Sequence, residues 1–109
     1  MSLADQKCIA CTGNVPPLEE EKIKKLLAEL HEDWSLNNLG HLQRSVQLEN
    51  FNQSMKLANE IAEIAEQENH HPDIYISWGI CKIEIWTHKI DGLTDSDFIF
   101  AAKADRRIS

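Results

Sequence analysis

The 109-residue sequence predicts an α+β domain with the element order helix, strand, strand, helix, strand, strand, helix (αββαββα). Three observations carry that reading. Apolar residues recur at helical spacing in three separate segments, stretches of period-two alternation lie between them, and capping or turn residues stand at the junctions.

Residues 1–17 are polar and small, hold Cys8, Cys11, Gly13 and Pro16-Pro17, and show no period, so they read as an arm leading into a single domain over 18–109. From Leu18, the residues Ile23, Leu26, Leu27 and Leu30 fall on one helical face, and Glu19, Glu20 and Glu21 suit the positive end of a helix dipole. Residues 34–36, followed by Asn37, Asn38 and Gly40, read as a short strand ending in a hairpin turn. Its partner is 41–49, where Leu42, Val46 and Leu48 share a parity that only Arg44 breaks.

Asn50 and Gln53 form a capping-box pattern at the start of a helix of about five turns. That helix must end before Pro72, which disfavours helical geometry at His71. Residues 73–78 alternate, Gly79 supplies a bend, and Cys81, Ile83, Ile85 and Thr87 then alternate with Lys82, Glu84, Trp86 and His88. Asp91-Gly92 marks a turn, and Thr94-x-x-Asp97 opens a last helix with Phe98, Ala101, Ala102 and Ile108 toward the core.

The formal charge of -7 repels phosphate backbones and anionic lipid surfaces, so neither nucleic acid nor membrane is expected as a direct partner. No stretch approaches the ~20 apolar residues of a membrane span, and residues 1–11 lack the apolar core of a secretory signal. A cytoplasmic location follows as an expectation, with the three cysteines reduced.

The run His70-His71-Pro72 is the most unusual local feature. Neighbouring side chains at a helix end point different ways unless the chain turns sharply, which proline favours. Imidazole titrates near pH ~6.5 and can give or take a proton at neutral pH. His88, at the end of a strand on its wetter face, can reach a cleft beside that turn. A zinc site built from these histidines, with Glu66 four residues before His70, is the competing reading; the sequence lacks the His pair at i and i+4 that marks zinc helices. Cys8-x-x-Cys11 has no second pair at zinc-finger spacing and reads as inert, or as an incidental redox pair, rather than as a site. Trp86, exposed by parity, reads as a ligand wall or subunit contact, Trp34 as core, and His31 and His41 as ordinary surface histidines.

Glu66-x3-His70-His71-Pro72, then Thr87-His88, then Gly92-Leu93-Thr94-x2-Asp97 resembles the signature of the pterin-4a-carbinolamine dehydratases. The likeness extends over everything after the amino-terminal arm. It implies one four-stranded antiparallel sheet packed on one side by helices. It also implies dehydration of 4a-hydroxytetrahydrobiopterin to a quinonoid dihydropterin in tetrahydrobiopterin recycling, with no metal or organic cofactor. Carried over by position, His70, His71 and His88 form the catalytic pocket, with His70 and His88 in acid/base work and His71 chiefly holding the pterin. Glu66 and Asp97 orient histidines or complete a polar rim, and Thr87 offers backbone hydrogen bonds to the pterin edge. Asn69 is assigned to the substrate site at a position where some members have Asp, so a carboxylate is absent there.

The resemblance further implies a homodimer or homotetramer, to which edge strands and apolar helix faces are suited. The alternative function is a non-catalytic dimerisation cofactor of a transcription factor on the same fold. The negative charge limits that alternative to action through a protein partner.

Overall fold

The computed structural model describes residues 2–9 and 16–108. Three helices, α1 (Glu20–Leu27), α2 (Phe51–Glu68) and α3 (Asp95–Ile108), alternate with the strand pairs β1 (Ser35–Leu36) and β2 (Leu42–Gln47), then β3 (Asp73–Ser77) and β4 (Ile80–Ile85). The order αββαββα is as expected. The strands form one antiparallel sheet ordered β1-β2-β4-β3, so the second strands of the two hairpins meet at its centre.

Period-two alternation gives the sheet one apolar face, and the helices cover it. Leu42, Cys81, Ile83 and Ile85 are fully buried there against Ile61 of α2 and Phe98 and Phe100 of α3. Burying each of the larger side chains contributes about 1.5–3 kcal/mol. Arg44 breaks the alternation because a carboxylate meets it inside: its Nη1 donates to Asp105 Oδ1 on α3 at 2.6 Å, and Trp34 Nε1 donates to the same oxygen at 2.7 Å. Trp34 is core, as its sequence context predicts.

The junctions follow their local chemistry. Asn50 Oδ1 accepts the N–H of Gln53 at the start of α2. Asn37 Oδ1 accepts the N–H groups of Leu39 and His41 in the first hairpin turn, and Gly40 there takes a φ of 78° that favours glycine. At the end of α2, Asn69 adopts the left-handed conformation (φ 52°), which asparagine tolerates better than most residues.

Residues 2–9 do more than lead into the domain. Leu3 and Ala4 are buried, with Lys103 Nζ donating to the Ala4 carbonyl, and Ile9 N–H donates to Ser96 Oγ. Two apolar residues of the arm, Leu3 and Ala4, thus pack against α3. Cys8 lies here, whereas Cys11 falls outside the described residues. Among the described residues, no helix is long and apolar enough to cross a membrane.

Candidate active site

The left-handed step at Asn69 sends two consecutive histidines in different directions. His70 turns inward, where its Nε2 lies 2.6 Å from Asp97 Oδ1. Asp97 is completely buried in the first turn of α3, and its other oxygen accepts Thr87 Oγ1–H at 2.8 Å and the Thr94 N–H at 2.9 Å. A buried carboxylate with three partners is a fixed acceptor, so His70 gives it the Nε2 proton and keeps the Nδ1 lone pair free. The edge of the His70 ring packs on Phe100.

His71 turns outward, with Nε2 2.6 Å from Glu66 Oε2 one turn back on α2, and both side chains are exposed. Glu66 therefore serves His71, although its spacing had placed it under His70. The break in helical geometry at Asn69 is the reason, because His70 no longer follows the α2 spiral.

His88 begins the 3-10 turn after β4. That turn is closed by Thr87 N–H donating to the Gly92 carbonyl at 2.8 Å, and Gly92 is needed because a Cβ there would stand 2.9 Å from Pro17. Asn69, His70, His71, Trp86, Thr87, His88 and Lys89 line one cleft of about 300 Å³. Asp97 and Glu66 stand behind the histidines they hold. Thr87 spends its backbone groups within its own turn and its hydroxyl on Asp97 and Thr94, so its clearest service is to hold Asp97. Among the described residues, no group of three or more His, Cys, Asp or Glu side chains converges as a metal site.

Two residues with no role foreseen stand behind this cleft. His41, expected at the surface, is 5% exposed, and Glu84, on the strand face expected to be wet, is 6% exposed. They bury each other: His41 Nδ1 lies 2.7 Å from Glu84 Oε2, which also accepts Asn37 Nδ2–H at 2.9 Å. Trp86 is sandwiched between the rings of His41 (3.8 Å, 2° between planes) and His88 (4.2 Å, 12°). The cross-strand register is the signal that could have found this cluster, since Leu42 pairs with Ile85 and the next step sets His41 opposite Trp86.

The fold and cleft define an α+β protein in which three histidines, two of them bonded to carboxylates, line one cleft. Residues 16–107 match the family model for pterin 4 alpha carbinolamine dehydratase. A protein of Rickettsia canadensis (strain McKiel), provisionally named pterin-4-alpha-carbinolamine dehydratase, is 57% identical over 97% of both chains. One of the same provisional name from Alkaliphilus metalliredigens (strain QYMF) is 47% identical over 99% of this chain and 97% of the relative. In fold, the chain is similar to a crystal structure described as a transcriptional coactivator/pterin dehydratase from Brucella melitensis, with a TM-score of 0.79 and 22% identity, covering 85% of this chain and 99% of that one. The chain belongs to the pterin-4a-carbinolamine dehydratase family.

Proposed function

We propose that the protein dehydrates 4a-hydroxytetrahydrobiopterin to quinonoid dihydropterin and water, in tetrahydrobiopterin recycling. The observation that carries this reading is the convergence of His70, His71 and His88 on one cleft, with His70 bonded to a buried carboxylate. The reaction needs a proton removed from ring nitrogen N5 and a proton delivered to the departing C4a hydroxyl. As the C4a–O bond breaks, the N5–H electrons form the N5=C4a bond and the hydroxyl leaves as water.

His70 is the base in this scheme. Asp97 holds its tautomer and places a negative charge beside a ring that gains a proton, as the carboxylate does in the carboxylate–histidine pairs of hydrolases. His88 is exposed to solvent and flat against Trp86, where it can deliver a proton and be reprotonated from water. His71, steered by Glu66, holds the pterin edge together with Asn69.

A coupled assay with a pterin-dependent hydroxylase tests the reading directly. Purified protein accelerates loss of the 4a-hydroxy intermediate, and His71→Ala or His88→Ala slows it; no acceleration by the wild type would refute the proposal.

A second reading, partner binding in transcription, draws support from the exposed apolar side chains Phe51, Met55 and Trp78 around the start of α2. It is separable, because histidine substitutions in the cleft leave that surface intact.

A further inference from the structure

We propose that His41 and Trp86, anchored by Glu84, are positioning residues that hold the His88 imidazole in its working orientation. This rests on the reading above only in so far as His88 does chemistry.

The three rings are restrained to different degrees. Among the described residues, no hydrogen bond holds the ring of His88, which lies exposed at the start of a 3-10 turn. What it has is Trp86, 4.2 Å away and within 12° of parallel. Trp86 itself is only partly buried, and its opposite face is covered by His41 at 3.8 Å and 2°. His41 is the fixed member of the stack: 5% exposed and 2.7 Å from a buried Glu84 carboxylate. Its backbone is tied to Asn37 through the bonds Asn37 N–H to the His41 carbonyl (2.9 Å) and His41 N–H to Asn37 Oδ1 (3.0 Å). Glu84 also accepts from the Asn37 side chain, which joins the first hairpin turn to the central strand β4.

The result is a chain of planar contacts from a buried, hydrogen-bonded His41–Glu84 pair to an exposed histidine. A ring packed flat against a fixed neighbour cannot tilt toward it without a clash, so a fixed ring at the inner end restricts the outer one. His41 does not line the cleft; it reaches His88 through Trp86, and its Nε2 also lies 3.9 Å from Asp91 Oδ1 at the end of the turn that His88 begins. That distinguishes it from Trp86, which can also touch the ligand.

The test uses the full chain with ¹⁵N- and ¹³C-labelled histidine. The ring current of Trp86 moves the His88 ring protons upfield in the wild type; Trp86→Leu abolishes this shift, and His41→Leu reduces it while circular dichroism remains native. In the hydroxylase-coupled assay, His41→Leu lowers kcat by ~10–100-fold and changes KM by less than about threefold, as expected when a catalytic group loses orientation without loss of binding. His41→Phe, which retains a flat ring but loses the bond to Glu84, restores part of the His88 shift and part of kcat. Should His41→Leu unfold the chain, His41→Phe and Trp86→Phe carry the comparison. An unshifted His88 resonance in the wild type, or one unchanged by folded His41→Leu and Trp86→Leu, overturns the proposal. If the wild type shows no dehydration, the proposed function fails while the resonances still decide whether His88 is positioned by the stack.

Discussion

His70 Nε2 and Asp97 Oδ1 lie 2.6 Å apart, joining the exit of α2 to the first turn of α3 across 27 residues of sequence. The same carboxylate caps α3 through the Thr94 N–H, so a structural bond and a site bond share one side chain. Asp97→Asn keeps an acceptor for the cap but cannot balance the charge of a protonated His70. It is expected to fold and to lose ~10²–10⁴-fold in kcat in the coupled assay. Asp97→Ala adds a loss of about 0.5–2 kcal/mol from the missing cap, read by urea denaturation.

Glu66 and His71 are both exposed, and their pair contributes at most about 1 kcal/mol to stability. Glu66→Gln is therefore expected to leave the urea midpoint nearly unchanged. Because His71 is assigned to holding the pterin, the substitution raises KM more than it lowers kcat in steady-state kinetics.

Burial works to raise the Glu84 carboxyl, but hydrogen bonds from His41 and Asn37 outweigh it and hold the group below its ordinary value of 4.5. A carboxyl depressed in the folded state adds stability above its unfolded value, and that contribution disappears as pH falls through the folded value. Acid unfolding followed by circular dichroism below about pH 4.5 should show a weaker pH dependence in Glu84→Gln than in the wild type.

Burial, reinforced by the charge of Glu68, pushes the Cys8 thiol up to about 12, and its S–H points to the Ser96 carbonyl at 3.3 Å. Thiolate is the reactive form. Cys8 should resist alkylation by iodoacetamide at pH 8 in the native protein and react on unfolding, as mass spectrometry of the modified peptide would record.

Trp78 (68% exposed), Phe51 (49%) and Ile80 (40%) bring apolar surface to the β3–β4 turn and the start of α2, where Ser54 Oγ contacts the Trp78 carbonyl. Such surface is unusual on an isolated domain. We expect the protein to run as a homodimer or homotetramer in light scattering, and Trp78→Glu to shift it toward monomer without loss of secondary structure.

The elements were legible because their signals are local. Asn50 capped α2 as its spacing with Gln53 indicated, Gly40 and Asn37 made the expected turn, and the alternation in 80–85 set which side chains enter the core. The three histidines that line the cleft stand in a sequence motif, whereas no local signal marks His41 and Glu84 as buried. Nothing near either residue in sequence reveals the other, since 43 positions separate them. Arg44 likewise looked like an irregularity until Asp105, 61 residues away, met it.

By itself, the sequence determined the order of helices and strands, the apolar face of each, the caps, and the family signature around His70, His71 and His88. These depend on periodicity and on groups within a few residues of one another. Only the tertiary structure decided which carboxylate serves which histidine and that a stack of rings reaches His88 from behind the cleft. Those outcomes turn on the left-handed step at Asn69 and on strand register, which place distant polar groups where burial compels them to pair.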